Sequence, residues 1–294
     1  MITIADWQEP NLIAHSDNLR PALYIKFENE VEFDTFDKIP ELEFLGDTYT
    51  PVKTNTMQDL TGADGSLFNF STIDKNTVTL KFLLHYRDYY QYKSLRHQVY
   101  DLLMQKCVYR IRTDAEPFMI KYCYSTGFDI EPTKAGSNGS LVTITMDNPS
   151  GYLFSMYPSD MQQDIWDNYP LGWHVPVFAE NDFTFTTKGF QVFNPSSKEI
   201  DPYYDKDNLK FSLNFAGNSC KLTNKTNDST YTYNKASNED DDILVDGLTT
   251  YVNNKVATAN TNYDNLVLAR GWNDIRVSGA TSINITFSFP FVYL

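Results

Sequence analysis

Four histidines and three cysteines are the side chains best suited to metal or nucleophilic chemistry here. Their spacing supports neither. His15, His85, His97 and His174 form no H-x-x-x-H pair, and Cys107, Cys123 and Cys220 form no C-x-x-C. Those spacings bring two ligands to one metal from a single helix or turn. There is no G-x-S-x-G elbow, P-loop or dinucleotide fingerprint. Gly62-Ala-Asp-Gly65-Ser66 looks superficially like a phosphate loop, but no helical pattern follows to point its amides at an anion. It reads as a turn. The run Glu239-Asp240-Asp241-Asp242 clusters the hard oxygens that calcium prefers, yet lacks the spaced ligands and glycine of an EF-hand loop. It reads as a solvated turn, as do Asp201, Asp205 and Asp207. Cys107 and Cys123 lie on strand-like segments and read as buried thiols. A glycosidase would need two carboxylates facing each other at about 5–9 Å, and no pair is singled out by spacing. The expectation is a protein that is not an enzyme and holds no cofactor or metal.

The elements that could position a site are mainly β. The 294 residues include 20 Tyr, 20 Phe and 4 Trp, types that suit pleated, half-buried surfaces. Trp166, Trp173 and Trp272 could stack on sugar rings or fill an aromatic core. Val78, Leu80 and Phe82 alternate with polar residues, as do Val142, Ile144 and Met146. The same holds for Leu209 to Phe215 and Ile283 to Phe289. Each segment reads as a strand with one buried face. Phe118, Ile120, Tyr122 and Tyr124 form another such face, opposite Met119, Lys121 and Cys123. From Asp88 to Lys106, Tyr92, Leu95, Val99, Leu102 and Leu103 recur at helical spacing, with Asp88 as N-cap. Tyr92, Leu95, Val99 and Leu102 are expected on the core side of that helix.

A length of 294 residues favours two domains of about 150 residues each. Prolines accumulate between Asn148 and Pro202. The boundaries read as 1–150, a connector over 151–189, and 190–294, with a short strand or hairpin through Phe183, Phe185, Phe190 and Val192. The sparse, odd cysteine count favours a reducing compartment. Met1 to Pro10 shows no signal peptide. The uncharged stretch Val277–Leu294 alternates in polarity, which fits a strand rather than a membrane span.

The net charge of −14 excludes wrapping of nucleic acid by the whole surface. Charge is uneven: residues 1–60 carry twelve acids and four bases, and residues 81–112 carry seven bases and two acids. Two readings follow. The segments are two solvated faces of one domain, or they meet between copies in a head-to-tail ring, since heterologous interfaces join different surfaces. On the second reading Arg87, Lys93, Arg96, Arg110 and Arg112 are interface residues.

The ordered motifs resemble those of a known family. A strand (Thr77–Leu84) precedes the capped helix. Then come Tyr109-Arg-Ile-Arg112, Pro117-Phe-Met-Ile-Lys-Tyr122, Leu141-Val-Thr-Ile-Thr-Met146 and Asn148-Pro-Ser-Gly-Tyr152. In the second half come Phe190-Gln-Val-Phe-Asn194, Ile243-Leu-Val-Asp-Gly247 and Leu268 to Gly279. This set resembles siphophage distal tail proteins. The first 60 residues and the stretch Asp164–Trp173 depart from the pattern. The resemblance implies an N-terminal β-barrel-like, ring-forming domain with one helix and a C-terminal galectin-like β-sandwich. It implies a structural virion protein at the tail tip, assembled in the host cytoplasm as a homo-hexamer. Its partners would be the tail tube protein, the tail-tip hub protein and receptor-binding proteins, with DNA only as passing cargo and no membrane insertion. The alternative is a carbohydrate-binding module with a lectin-like sandwich, acting in host-surface attachment.

Overall fold

The alternating segments form strands wherever one face has a core to meet. The structure is a computed structural model that describes residues 21–62, 64–164, 183–204 and 209–294. It divides into two compact units, one built from residues 13–153 and the other mainly from 154–293. His15, Trp166, Trp173, His174, Asp205 and Asp207 lie outside the described residues, as do residues 165–182 of the expected connector.

The first unit contains β1 (Leu23–Lys26), β2 (Phe33–Asp34), α1 (Thr35–Lys38), β3 (Leu42–Tyr49), β4 (Val52–Asp59), β5 (Ser66–Asp74) and β6 (Asn76–His85). After these come α2 (Tyr89–Leu103), β7 (Tyr109–Thr113), β8 (Met119–Ser125) and β9 (Gly139–Asn148). Its main sheet runs β2-β1-β7-β8-β9-β6-β3, an open path rather than a closed barrel among the described residues. β6 shows why: Val78, Leu80, Phe82 and Leu84 are wholly buried while Thr77, Lys81 and His85 face out. β6 pairs along its whole length with β9, so Phe82 lies opposite Val142 and Leu80 opposite Ile144. α2 closes this core with Tyr92, Leu95, Val99 and Leu103. Leu102, expected on that stripe, is only partly buried and packs at its margin.

Asp88 caps α2 as expected, accepting from Gln91 N at 2.8 Å, while Gln91 Oε1 accepts from Arg87 N at 2.7 Å. The helix ends at Leu103, short of Lys106, because Gln105 N turns away to donate to Tyr109 Oη at 2.7 Å. That leaves Cys107 half-buried in the bend before β7 rather than on a strand. β8 also departs from expectation. Met119, Lys121 and Cys123 are buried and Tyr124 is 47% exposed, so both faces of its first half are covered.

The second unit contains β10 (Leu153–Pro158), β11 (Thr184–Phe185), β12 (Gly189–Asn194), β13 (Lys210–Asn224) and β14 (Thr230–Tyr233). It continues with β15 (Ile243–Asp246), β16 (Thr249–Val252), β17 (Lys255–Val256), β18 (Gly271–Ser288) and β19 (Pro290–Tyr293). β13 and β18 pair over most of their length. Their ladder shifts register around Gly217 and Gly279. Both take positive φ, and a Cβ on either would sit under 3 Å from a backbone oxygen. Such a bulge turns a long strand, so that each end can serve a different neighbour. Accordingly β13 pairs β15 near Phe211 and β14 near Leu222. β11 and β12 each pair with β18 rather than forming a hairpin together. Phe211, Phe215, Phe287 and Phe289 are buried between these strands.

The expected connector contains a strand that alternation did not announce. Residues 153–158 form β10, paired with β19. All six are buried. A strand covered on both faces carries no alternation, which is why the sequence pattern missed it.

Candidate assembly surface

Among the described residues, no group of three or more His, Cys, Asp or Glu could hold a metal. Burial pushes the thiols of Cys123 and Cys220 up to about 12, leaving them protonated and unreactive at neutral pH. The 239–242 run is a turn in which Asp241 accepts from Asn238 N and from Asn253 Nδ2, both at 3.2 Å. Trp272 rests against Phe193 at 4.9 Å between ring centroids.

The five expected interface cations separate into two groups. Arg87 stands in solvent beside the α2 N-terminus. Lys93 and Arg96 are half-buried, with Lys93 over the Tyr89 ring at 5.1 Å and Arg96 over Tyr100 at 5.9 Å. Arg110 and Arg112 are instead inside the unit, 1% exposed at their side chains. Both grip Glu32: Arg110 Nη2 donates to Oε1 at 2.8 Å and Arg112 Nε to Oε2 at 3.0 Å. The Arg112 guanidinium also lies over the Tyr24 ring at 4.0 Å. Burial raises the Tyr24 phenol pKa, against the pull of Arg112. Part of the charge asymmetry between residues 1–60 and 81–112 is therefore consumed within one chain. The sequence places arginine on the surface by default, whereas a buried carboxylate far away in the chain draws it in.

A further inward cation, Lys121, escaped the sequence reading. Lys121 Nζ donates to Asp47 Oδ2 at 2.9 Å and to Glu116 Oε2 at 3.4 Å, over the Tyr49 ring. Burial opposes its charge, but Asp47 and Glu116 outweigh that and raise its pKa.

The surface most in want of a partner is the β4–β5 hairpin, which the sequence reading also missed. It forms a sheet of its own, so both outer edges lack a strand partner among the described residues. Val52, Met57, Leu67, Phe68 and Phe70 are each at least 42% exposed. A bulge sets Thr56 opposite Phe70 and the next residue, Met57, opposite Phe68. Consecutive strand residues point to opposite faces, so one phenylalanine stands on each side of the ribbon. Cross-strand polar pairs add some rigidity: Ser71 Oγ donates to Asn55 Oδ1 at 2.6 Å and Ser66 Oγ to Asp59 Oδ1 at 2.5 Å. A two-stranded ribbon is marginal in water without a covered face. Two uninterrupted segments of eight and nine residues around a Gly-x-x-Gly turn were the available signal.

Comparison with known proteins bears on this surface. Residues 33–147, which contain the hairpin and α2, match the family of the phage tail protein RIFT-related domain. Among solved structures, the chain is similar to the SPP1 Dit (gp 19.1) protein, described as a paradigm of the hub adsorption apparatus in phages infecting Gram-positive hosts. The TM-score is 0.62 at 12% identity, covering 92% of this chain and 99% of that one. A chain of the phage p2 baseplate in its activated conformation with Sr aligns at a TM-score of 0.42 and 11% identity, over 91% of this chain and 97% of that one. No curated protein matches the sequence. Residues 33–147 thus match the phage tail protein RIFT-related domain, and the chain as a whole shares the fold of the SPP1 Dit protein.

Proposed function

We propose that this chain is a structural virion protein that forms a ring at the distal end of a phage tail and joins the tail tube to the baseplate or receptor-binding apparatus. The observation that carries the reading is the phage-tail domain match over residues 33–147, the part that also bears the uncovered hairpin. The mechanism is geometric. A closed ring needs two different surfaces on each copy. The hairpin is one: its edges offer backbone hydrogen bonds and its faces offer Phe68 and Phe70 to a neighbour. Arg87, Lys93 and Arg96 beside α2 belong to a second surface. The ring has six copies, and its lumen passes DNA, which acidic walls would repel. Residues 1–150 carry ring formation, and residues 190–294 face the adsorption apparatus. The protein acts in the virion tail tip and has no catalytic role. No helix among the described residues is long and apolar enough to cross a membrane.

Negative-stain imaging of the purified chain, alone and with its tail-tube or hub partner, tests the reading. Rings are expected. A monomer that persists at high concentration with those partners present overturns it. Of the three tryptophans that the carbohydrate-binding alternative would use, Trp272 is the described one, and it rests partly on Phe193.

A further inference from the structure

A cavity of about 220 Å³ opens in the second unit beside β13, β15 and β16. Its floor is apolar, made by Leu209, Phe211, Val245 and Leu266, all buried. Its rim carries Tyr203 and Tyr263, 62% and 71% exposed. Asp264 is the ionised group in the described lining, which contains no lysine, arginine or histidine.

The wall is built, not incidental. Three buried asparagines and the exposed Asn227 hold the carbonyls of the segment that leads away from it. Asn224 and Asn227 donate to Val267 O at 2.8 and 3.0 Å, Asn194 to Leu268 O at 3.1 Å, and Asn273 to Ala269 O at 2.8 Å. Tyr263 sits at φ +60°, a left-handed conformation uncommon for an aromatic residue. Asp264 Oδ2 accepts from Asn262 Nδ2 at 2.6 Å and Thr230 Oγ1 at 3.2 Å, which aims the carboxylate and leaves Oδ1 available.

The polar groups deeper in the lining are already engaged. Thr250 Oγ1 pairs with Tyr231 Oη at 3.1 Å, Thr258 Oγ1 accepts from Thr250 N at 3.0 Å, and Thr261 Oγ1 donates to Thr258 O at 2.8 Å. A hydroxyl-rich ligand would find few partners there. A cation on an apolar stem finds both things it needs: an aliphatic floor, then aromatic faces and one carboxylate at the rim.

We propose that this cavity receives the side chain of a lysine or arginine presented by a partner protein. Charge complementarity selects that occupant, because the described lining offers one carboxylate and tyrosine rings, with no cation among those residues. The inference does not depend on ring formation, since the cavity lies within one unit of a single chain.

The test uses the full chain labelled with 3-fluorotyrosine, with the Tyr203 and Tyr263 signals assigned from Tyr203→Phe and Tyr263→Phe. The probes are N-acetyl-arginine amide, its neutral isostere N-acetyl-citrulline amide, and methyl α-glucoside. Saturable shifts of both signals with the arginine probe are expected. Affinity should fall by about fivefold or more with the citrulline probe or in Asp264→Asn. Tyr263→Gly, which suits the positive φ, should keep the fold and also weaken the arginine probe. Equal binding of citrulline, preferential binding of the glucoside, or no saturable response overturns the proposal.

Discussion

Two antiparallel strand pairs make opposite use of the same hydrogen-bond ladder. β13 and β18 bury Phe211, Phe215, Leu213 and Phe287 and take further strands on both sides. β4 and β5 leave Phe68 and Phe70 in water and take none among the described residues. Backbone pairing is common to both, so it does not decide independent stability. Covered side chains do, because the net gain from an intramolecular hydrogen bond is only about 1 kcal/mol against water, while burying one phenylalanine contributes roughly 2–3 kcal/mol. The long pair is thus part of a folded unit, and the short pair is left without cover among the described residues.

The largest expected effect lies in the covered pair. Phe287 is fully buried and contacts the rings of Phe185, Phe190 and Phe211. Phe287→Ala should destabilise the chain by about 3–5 kcal/mol, whereas Phe68→Ala should change it by about 0.5 kcal/mol or less. Denaturant titration of the two variants under conditions that keep the chain monomeric checks this. Equal losses would mean the hairpin is packed within its own chain.

Glu32→Gln should follow closely in size. It leaves the buried Arg110 and Arg112 without their shared carboxylate, and breaking a buried ion pair costs about 3–5 kcal/mol. Asp74→Asn on the hairpin, which also removes a charge, should fall within about 0.5 kcal/mol. The same titration separates the two. A small loss at Glu32 would mean that water or another group takes over the guanidiniums.

What was legible in the sequence follows the same division. β6, β9 and α2 each have one covered face, so their pattern records it, and Val78 to Leu84 and Tyr92 to Leu103 were read correctly except at Leu102. The hairpin has no covered face, and alternation has nothing to record there. β10 has two covered faces, which erases alternation from the other side. Arg110, Arg112 and Lys121 were misplaced for a different reason. Their burial depends on Glu32, Asp47 and Glu116, and no local pattern announces a partner up to 80 residues away. The proposed assembly surface was therefore half legible: its cations near α2 show in the sequence, and its apolar ribbon does not.

A sharper separation of folding from assembly comes from the double variant Phe68→Ser, Phe70→Ser. Both side chains are more than half exposed, so the monomer should melt within about 0.5 kcal/mol of the parent. Rings seen by negative stain should nevertheless be lost, because one phenylalanine leaves each face. Rings that persist in this variant would move the contact away from the hairpin. Arg87→Glu should weaken rings less than the double variant, since a solvated charge contributes little and is screened by salt. Leu95→Asp is the control that should unfold the first unit outright, by burying an unpaired carboxylate.

The smallest effect sharpens the comparison inside the folded unit, where the Asp88 and Gln91 side chains hold the α2 N-terminus. The backbone hydrogen bond from Gln91 is the main reason the Asp88 pKa is lowered, with Arg87 adding to it. A carboxyl whose folded pKa is depressed contributes stability that is fully present above its unfolded value and is lost as pH falls through the folded one. The first turn of α2 should accordingly hold steady from neutral pH down to the ordinary carboxylate range, then loosen below it. Asp88→Asn keeps a capping oxygen without the charge, so it should remove that acid dependence while leaving the helix formed at neutral pH. Hydrogen exchange of the amides of residues 90–92, followed from pH 6 to pH 2.5 against an interior strand such as β6, reads the difference directly. If parent and Asp88→Asn lose protection together as the pH drops, the acid sensitivity arises elsewhere in the unit and not at the cap.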